Sequence, residues 1–201
     1  MPIIVPSGRE TPTVNDAPMK NPWKTLEVRA IYDNPWIKVD EHQVLNPSGN
    51  PGIYGKVHFK NLACGIIPLA DDGMTWLVGQ FRYTLDRYSW EIPMGGVRLN
   101  DDPIEGARRE LREETGLTAE RWTKILEVDL SNSVTDESGI VYVAEGLTRG
   151  NPDFDDTEQL EIRELHITEA LEMVKAGEIT DVLSVAGLLK LDAERCLSEK
   201  K

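Results

Sequence analysis

The stretch GGVRLNDDPIEGARRELREETGL, residues 95–117, carries the clearest helix signals in the chain. Asp102 belongs to the residue types that cap helix N-termini, and Pro103 suits the first helical position because no backbone N–H is needed there. Gly116 suits the C-terminal stop, since glycine readily adopts the left-handed conformation that ends many helices. These signals predict a helix over about residues 103–115.

One side of this helix carries a dense set of carboxylates. At about 100° per residue, an apolar arc is predicted to face the core, and the adjacent arc holds Glu110, Glu113 and Glu114. Glu110 and Glu114 are one turn apart, a spacing at which like charges destabilise an isolated helix, so a counter-charge is expected. The glutamates alone leave two interpretations open, a divalent-metal site and a solvated acidic face, of which the solvated face is the commoner.

Composition restricts the class of protein. The chain has 201 residues, of which 40% are hydrophobic and 28% charged, a balance typical of one main globular core with an extra subdomain. The formal net charge of −13 would repel a nucleic-acid backbone, so no nucleic-acid partner is expected. The excess of carboxylate is consistent both with binding of hard cations and with an acidic surface that only keeps the protein soluble.

The cysteines and histidines show no spacing of their own that suggests a site. Cys64 and Cys196 have neither metal-ligand spacing nor a paired framework, which predicts reduced thiols in a cytoplasmic protein. No export signal and no apolar run of membrane-spanning length is recognisable, so no membrane association is expected. His42, His58 and His166 have no metal partner at a recognisable spacing, and no role is assigned to them.

Turn residues and β-favouring segments divide the chain into three parts. Residues 1–20 are rich in Pro, Thr, Asn and Asp without periodicity and are expected to form a flexible arm. Residues 21–60 are predicted to form a small antiparallel sheet with strands at 28–32, 36–45 and 53–59. An isolated sheet of this size is marginally stable, so it should pack on the rest of the chain or on a second subunit, which makes a homodimer the expected assembly.

The third part, residues 61–201, is predicted to be an α/β (α+β) domain. Beyond the helix at 103–115, the patterns indicate two further helices, at 168–176 and about 180–196. The stretch that leads from the second strand to residue 96 is interpreted as rich in turns. The predicted strands of this part are 62–69, 76–83, 125–130, 140–146 and 160–167.

The wider pattern around the carboxylate helix resembles the Nudix box. The general form of the box is Gly, five residues, Glu, seven residues, then Arg-Glu-apolar-any-Glu-Glu-any-Gly-apolar. Gly95, Arg109-Glu110-Leu111, Glu113-Glu114 and Gly116-Leu117 match it at the full spacing. The one departure is Asp101 in the first acidic place, and because Asp is one methylene shorter, the role of this carboxylate is left open. The resemblance implies a Nudix fold, in which helices sandwich a mixed central sheet.

The resemblance also implies a metal site. Glu110 and Glu114 would be the main ligands, with Glu113 assisting and the backbone carbonyl of Met94 completing the shell. The implied cofactor is Mg²⁺ or Mn²⁺, because hard cations favour oxygen ligands. Arg109 is expected to orient the glutamates through a charge-assisted hydrogen bond, which places Arg109 and Glu113 in the catalytic set.

Three further segments resemble the ADP-ribose pyrophosphatase branch of this family. The resemblance spans roughly residues 36–191 and implies hydrolysis of ADP-ribose or a related nucleoside diphosphate sugar to a nucleoside monophosphate and a sugar phosphate. The segments are GQFRY (79–83) followed by EIPMGG (91–96), then SNSVTDE (131–137), and EGLT (145–148) leading into an acidic loop.

The catalytic base of that branch lies outside the box, on the loop before the last strand. In this chain the loop offers Asp155, Asp156, Glu158 and Glu161. Glu158 is favoured because it has the residue type of the family, and Asp156 is the alternative.

Three residues outside the box are candidates for binding the substrate. Arg82 is expected to contact a phosphate, because a guanidinium binds phosphate oxygens in fork geometry; the alternative is a surface arginine on a strand. Glu137 is implied to hydrogen-bond the distal ribose, with a solvated loop glutamate equally weighted. Trp36 is a candidate for stacking on the nucleobase, against the commoner role of tryptophan in a core or interface.

Two other functions stay open at this point. The first is hydrolysis of another nucleoside diphosphate derivative, such as GDP-mannose, a dinucleoside polyphosphate or a coenzyme A derivative, which the residues of the box do not exclude. The second is a non-catalytic ADP-ribose sensor. Such sensors usually combine an eroded box with an added basic DNA-binding module, whereas this chain has a nearly complete box and no basic module.

Overall fold

The computed structural model describes residues 20–153 and 160–198, where the chain forms ten strands and three α-helices. All but one residue of the predicted N-terminal arm lies outside these ranges. Strands β1 (Lys24–Asp33), β2 (Ile37–Leu45) and β3 (Pro51–Phe59) form an antiparallel sheet in that order. Asn34 shapes the first turn, because its side-chain oxygen accepts hydrogen bonds from the N–H groups of the two residues that lead into β2. The predicted small N-terminal sheet is confirmed.

The central sheet has four strands and mixed polarity. Two of its strands run parallel to each other, and the other neighbours are antiparallel. The parallel pair is β4 with β9, and the order across the sheet is β7 (Met94–Arg98), β4 (Asn61–Pro68), β9 (Ser138–Arg149) and β8 (Leu117–Asp129).

A third sheet is antiparallel and has the order β10 (Glu161–His166), β5 (Met74–Arg82) and β6 (Arg87–Glu91). Between β5 and β6 the chain makes a short 3-10 turn at Tyr83–Leu85. The β5–β6 pairing places Val78 opposite Glu91, so the end of β6 lies beside the middle of β5.

Helices cover both faces of the central sheet. Successive residues of the parallel pair β4 and β9 point to opposite faces, which is why both strands read as continuous apolar runs. Helix α1 (Pro103–Thr115) packs in one cluster with Cys64, Ile66 and Tyr142. Helices α2 (Ile167–Ala176) and α3 (Val182–Ser198) share the other cluster with Ile67, Val141 and Val143. The predicted α/β fold with a mixed sheet between helices is confirmed.

In the described part of the chain, no helix combines the length and the apolar character needed to cross a lipid bilayer.

Helix α1 begins and ends where the sequence predicts. The Asp102 side chain caps it by accepting a hydrogen bond from the Ile104 N–H at 3.1 Å. Gly116 ends it with φ at 72°, and its N–H donates to the Arg112 carbonyl at 2.9 Å. A Cβ on Gly116 would lie only 2.6 Å from the carbonyl oxygen of Gly150, so glycine is required there for space as well as conformation.

Three strand regions differ from the expectation. The stretch interpreted as turns contains β6 and the start of β7, and β8 begins at Leu117 rather than near residue 125. Gly95 and Gly96 argue against a strand by propensity, yet they lie in β7 because they pair with Cys64 and Ala63 of β4. Neighbouring side chains occupy the space that a Cβ at either position would need. The charged residues in the first half of β8 obscure the alternation expected of a strand. The extent of β8 is set instead by its antiparallel pairing with β9, which continues as far as Arg149.

Burial predicts unequal reactivity of the two thiols. Cys64 is fully buried, and burial, with a smaller contribution from the charge of Glu110, raises the pKa of its thiol to about 12. Cys196 is exposed. Because the thiolate is the reactive species, we expect a thiol reagent at about pH 8 to label one cysteine per folded chain and both after denaturation. The variant Cys196→Ser should resist labelling while folded; rapid labelling of that variant would contradict the burial of Cys64.

Candidate active site

The carboxylates of α1 pack against the backbone of β7. Glu114 is 1% exposed, and one of its oxygens accepts a hydrogen bond from the Met94 N–H at 2.9 Å. Glu110, one turn earlier and 8% exposed, lies over Gly95, where an added Cβ would sit 2.0–2.4 Å from the carboxylate atoms. Glycine is therefore needed at position 95, because any side chain there would displace the Glu110 carboxylate.

Arg109 bridges two of the glutamates. Its Nη1 donates to Glu113 Oε2 at 2.8 Å, and its Nη2 donates to Glu110 Oε1. Partial burial opposes the charge of Arg109, but the charges of Glu110 and Glu113 outweigh it and raise the pKa of the guanidinium. Arg109 thus supplies a counter-charge to the acidic face of the helix and holds two of its carboxylates in place.

This set of donors fits a hard divalent cation. All of its donor atoms are oxygens, two of its glutamates are buried, and glycine at position 95 leaves the room in which one carboxylate sits. Mg²⁺ and Mn²⁺ prefer such ligands. The groups that could hold an ion here are the carboxylates of Glu110, Glu113 and Glu114 and the carbonyl of Met94.

Arg82 is anchored by a buried glutamate. It lies at the end of β5, and its Nε donates to Glu91 Oε1 at 2.9 Å while its Nη2 donates to Glu91 Oε2. Glu91 is 2% exposed, whereas the Arg82 side chain is 35% exposed. The hydrogen bonds to Glu91 are the largest of the effects that raise the pKa of Arg82, and the charges of Asp181 and Glu114 contribute as well. Arg82 is therefore a fixed cation within electrostatic range of the carboxylate helix.

Asp181, whose charge acts on Arg82, forms a second acidic pair with Glu137. Burial is the main cause of the raised pKa of Glu137, and the negative charge of Asp181 adds to it. Asp181 precedes α3, and its Oδ2 accepts hydrogen bonds from the Ser184 N–H and hydroxyl, each at 2.8 Å. The Ser184 Oγ in turn accepts a hydrogen bond from the Ile92 N–H at 3.0 Å, which ties the start of α3 to the residue next to Glu91.

Sequence reasoning assigned no role to Glu91 or Asp181. A signal existed for each. Glu91 is an acidic residue between the apolar Trp90 and Ile92, a placement that suggests a buried partner. Asp181 followed three residues later by Ser184 has the form of a helix N-cap, but the predicted helix began two residues too early, so that Asp181 fell inside it.

The remaining predicted site residues are spread over other parts of the chain. Trp36 lies at the turn before β2 and is 65% exposed. Asp101 is exposed and lines a surface cavity of about 290 Å³ together with Arg109. Glu158 and its alternative Asp156 lie outside the described residues. Glu161, which begins β10, accepts a hydrogen bond from the Tyr88 hydroxyl at 3.0 Å.

A separate group of potential metal ligands lies on the N-terminal sheet. Asp40, His42 and His58 each offer one ligand atom, and these atoms lie within 4.8 Å of one another. Sequence spacing does not reveal this group, because His58 reaches the other two only through the pairing of β2 with β3.

Comparison with known proteins gives two family matches. The Nudix domain matches residues 60–182, and the nucleoside diphosphate sugar hydrolase N-terminal domain matches residues 23–57. The first match contains the whole carboxylate helix, and the second contains most of the N-terminal sheet.

Individual relatives agree with these matches. An ADP-ribose pyrophosphatase of Bacillus subtilis is 33% identical over 180 residues, covering 89% of this chain and 97% of that protein. An ADP-ribose pyrophosphatase of Mycobacterium tuberculosis is 31% identical over 175 residues, covering 85% of this chain and 84% of that protein. The crystal structure of an ADP compounds hydrolase has a TM-score of 0.78 at 17% identity, covers 88% of this chain and 96% of its own, and supports the fold alone.

The match to the Nudix domain spans more than half of the chain and includes the helix whose buried glutamates pack on the glycine backbone of β7. The chain therefore belongs to the Nudix hydrolase family.

Proposed function

We propose that this chain hydrolyses the diphosphate of ADP-ribose or a related nucleoside diphosphate sugar, releasing a nucleoside monophosphate and a sugar phosphate. The observation that carries the proposal is the buried pair Glu110 and Glu114, held against β7 within electrostatic range of the fixed cation Arg82. The names of the two ADP-ribose pyrophosphatases support the substrate class. A non-catalytic sensor would not need buried carboxylates in this arrangement.

In this proposal Glu110, Glu113, Glu114 and the Met94 carbonyl hold Mg²⁺ or Mn²⁺. When bound, such an ion neutralises charge on the diphosphate oxygens and lowers the pKa of a bound water. Arg109 orients the carboxylates of Glu110 and Glu113, since it donates to both. The Met94 N–H orients the carboxylate of Glu114.

Three residues are assigned to substrate binding. Nε and Nη2 of Arg82 donate to Glu91, and we assign its Nη1 to a phosphate oxygen. Glu137, whose raised pKa reflects burial, is assigned to a hydroxyl of the distal ribose. Trp36 exposes most of its ring, which makes it available to stack on the nucleobase.

We assign the catalytic base to Glu158, with Asp156 as the alternative. The described residues on either side support a base on this loop. On one side, the Asp153 N–H donates to the Glu113 carbonyl at 2.9 Å, so the residue that leads into the loop lies against the carboxylate helix. On the other side, Glu161 is hydrogen-bonded to Tyr88 of β6, the strand that also carries Glu91.

We also propose a division of the chain into an arm at 1–20, a β subdomain at 21–60 that makes the homodimer contact, and a catalytic domain at 61–201. The two family matches support a boundary near residue 60. Apolar side chains that are more than half exposed crowd the N-terminal sheet, as at a protein interface. They are Leu26, Val28, Ile31, Tyr32 and Ile53. The two free cysteines are consistent with the cytoplasmic location that we propose.

Substitution of a buried glutamate tests the proposed activity. We expect Glu114→Gln to lower the Mg²⁺-dependent release of AMP from ADP-ribose by more than about 100-fold, because it removes a ligand charge from the metal site. The matched control is Glu105→Gln on the same helix, where the side chain is 66% exposed and activity should be unchanged.

The products should be identified by chromatography, and circular dichroism should show that both variants are folded. Full activity of Glu114→Gln would contradict the metal assignment. The wild-type chain should be assayed in parallel on other nucleotide sugars and on dinucleoside polyphosphates. No turnover of any diphosphate would favour the sensor function instead.

The glycine beneath Glu110 offers a second test. We expect Gly95→Ala to reduce activity by about tenfold or more and to raise the Mg²⁺ concentration needed for half-maximal activity, because the added methyl group must displace the Glu110 carboxylate. Gly55→Ala is the matched control, since a Cβ at Gly55 in β3 would meet nothing within 4 Å. Equal kinetics of the two variants would show that Glu110 does not need its present position.

The proposed dimer contact is tested by light scattering coupled to gel filtration. We expect a dimer for the wild-type chain and a monomer for the double variant Val28→Lys, Ile53→Lys, because two charges would be buried at the interface. Leu189→Lys on α3 changes a similarly exposed apolar residue away from the sheet and should stay dimeric. A monomeric wild-type chain would rule out the homodimer.

A further inference from the structure

We propose that Asp40, His42 and His58 form a second metal site, separate from the glutamates of α1, which takes a transition-metal ion of the Zn²⁺ class. The bound ion would fasten the N-terminal sheet to the segment 131–137, the segment that carries Glu137.

Strand pairing places the three side chains on one face of the sheet. Asp40 and His42 are two residues apart on β2 and therefore point to the same side. His58 pairs with Lys38 on the neighbouring strand, which makes it the diagonal neighbour of Asp40. One ligand atom of each residue lies within 4.8 Å of the others, and His58 Nε2 is 3.2 Å from Asp40 Oδ2.

Two polar atoms of this group are buried without a partner. Asp40 is 4% exposed, and neither its Oδ1 nor the Nε2 of His42 has a hydrogen-bond partner among the residues that the structure describes. Buried polar atoms are ordinarily paired. Asp40 Oδ2 and the ring nitrogens of His58 have polar partners, whereas Asp40 Oδ1 and His42 Nε2 have none in the described ranges. A cation bound between the three side chains would give both of these atoms a partner.

His58 is held as metal-ligating histidines commonly are. Its Nδ1 lies 2.6 Å from Asp136 Oδ2, so this nitrogen donates to the carboxylate and the lone pair of Nε2 is left on the side of Asp40. Asp136 is itself fixed, since its Oδ1 accepts a hydrogen bond from the Phe59 N–H at 3.0 Å. The Lys56 ammonium also contacts Asp136 Oδ2, at 3.1 Å.

The donor set selects the class of ion. Two imidazole nitrogens and one carboxylate oxygen suit Zn²⁺ and its neighbours among the transition metals, while Mg²⁺ prefers oxygen ligands alone. Three protein ligands leave one position of a tetrahedral ion for water. The site therefore differs in chemistry from the all-oxygen site of α1.

The location of the group suggests a role in holding two parts of the chain together. Val57 of β3 already exchanges backbone hydrogen bonds with the segment 131–137, accepting from the Asp136 N–H at 3.1 Å and donating to the Val134 carbonyl at 2.9 Å. The Tyr54 hydroxyl adds a bond to the Ser133 carbonyl at 2.7 Å. An ion bound to Asp40, His42 and His58 would reinforce this junction through the His58 to Asp136 contact.

One lysine competes with the ion for a ligand residue. The Lys38 ammonium donates to Asp40 Oδ2 at 2.8 Å. The Lys38 side chain is 38% exposed, so it can turn into solvent when an ion binds. Removing the charge of Lys38 should therefore strengthen metal binding. If Asp40 does not bind the ion, the change should have no such effect.

The test is a titration of the full chain with Zn²⁺ alone after removal of metals with a chelator. Millimolar Mg²⁺ is present throughout so that the α1 site is saturated. Calorimetry should show one strong Zn²⁺ site per chain, and Co²⁺ in its place should give the visible absorption of a nitrogen- and oxygen-ligated ion. We expect His42→Gln and His58→Gln to weaken binding by more than about 100-fold, and Asp136→Asn by about 10- to 100-fold.

The controls separate this site from the others. His166→Asn removes the remaining histidine while keeping an acceptor at the α2 N-cap, and it should bind Zn²⁺ as the wild type does. Glu114→Gln should also keep the strong site. Loss of binding in Glu114→Gln with retention in His42→Gln would place the ion on α1 and overturn the proposal, as would absence of a strong site in the wild type.

Lys38→Gln keeps the proposal testable if a histidine variant fails to fold, as judged by circular dichroism in chelator. We expect this variant to bind Zn²⁺ more tightly than the wild type. Zn²⁺ should also raise the melting temperature of the wild type and of Lys38→Gln. Unchanged or weaker affinity in Lys38→Gln would contradict an ion at Asp40.

Discussion

The close approach of the Glu110 carboxylate to the backbone of Gly95 is the contact on which the arrangement of this enzyme depends. It brings the acidic face of α1 onto β7, one of the two edge strands of the central sheet. Burying ionised carboxylates is costly unless hydrogen bonds and opposite charges compensate. The Met94 N–H and Arg109 provide that compensation, so the helix can hold two buried glutamates where it would otherwise expose them.

The same principle orders the surroundings of the helix. Arg82 and Glu91 form a two-pronged pair between neighbouring strands, and Asp181 caps α3 through Ser184, whose hydroxyl receives the Ile92 N–H. The acidic groups are therefore interleaved with a fixed guanidinium and with hydrogen bonds from the backbone. An anionic substrate would enter a region in which most of the negative charge is already oriented and partly compensated.

The N-terminal sheet meets the rest of the chain at a junction where the end of β3 contacts the segment 131–137. Backbone bonds of Val57 and the contact between His58 and Asp136 make this junction polar. The apolar side chains of the sheet remain exposed on the single chain. The sheet thus has a polar attachment to its own chain and a largely exposed apolar surface, and the proposed dimer contact rests on that surface.

The sequence by itself determined the helix of residues 103–115, its caps, the spacing of its glutamates and the family, because each of these depends on residues close together along the chain. The strong apolar runs of β4 and β9 likewise predicted these two strands from local sequence. Only the tertiary structure decided that Gly95 and Gly96 lie in a strand, since their partners Cys64 and Ala63 on β4 are distant in sequence. It also decided the partners of Arg82 and Asp181 and the meeting of His58 with Asp40, because contacts across paired strands and between helices leave no periodic trace in the sequence.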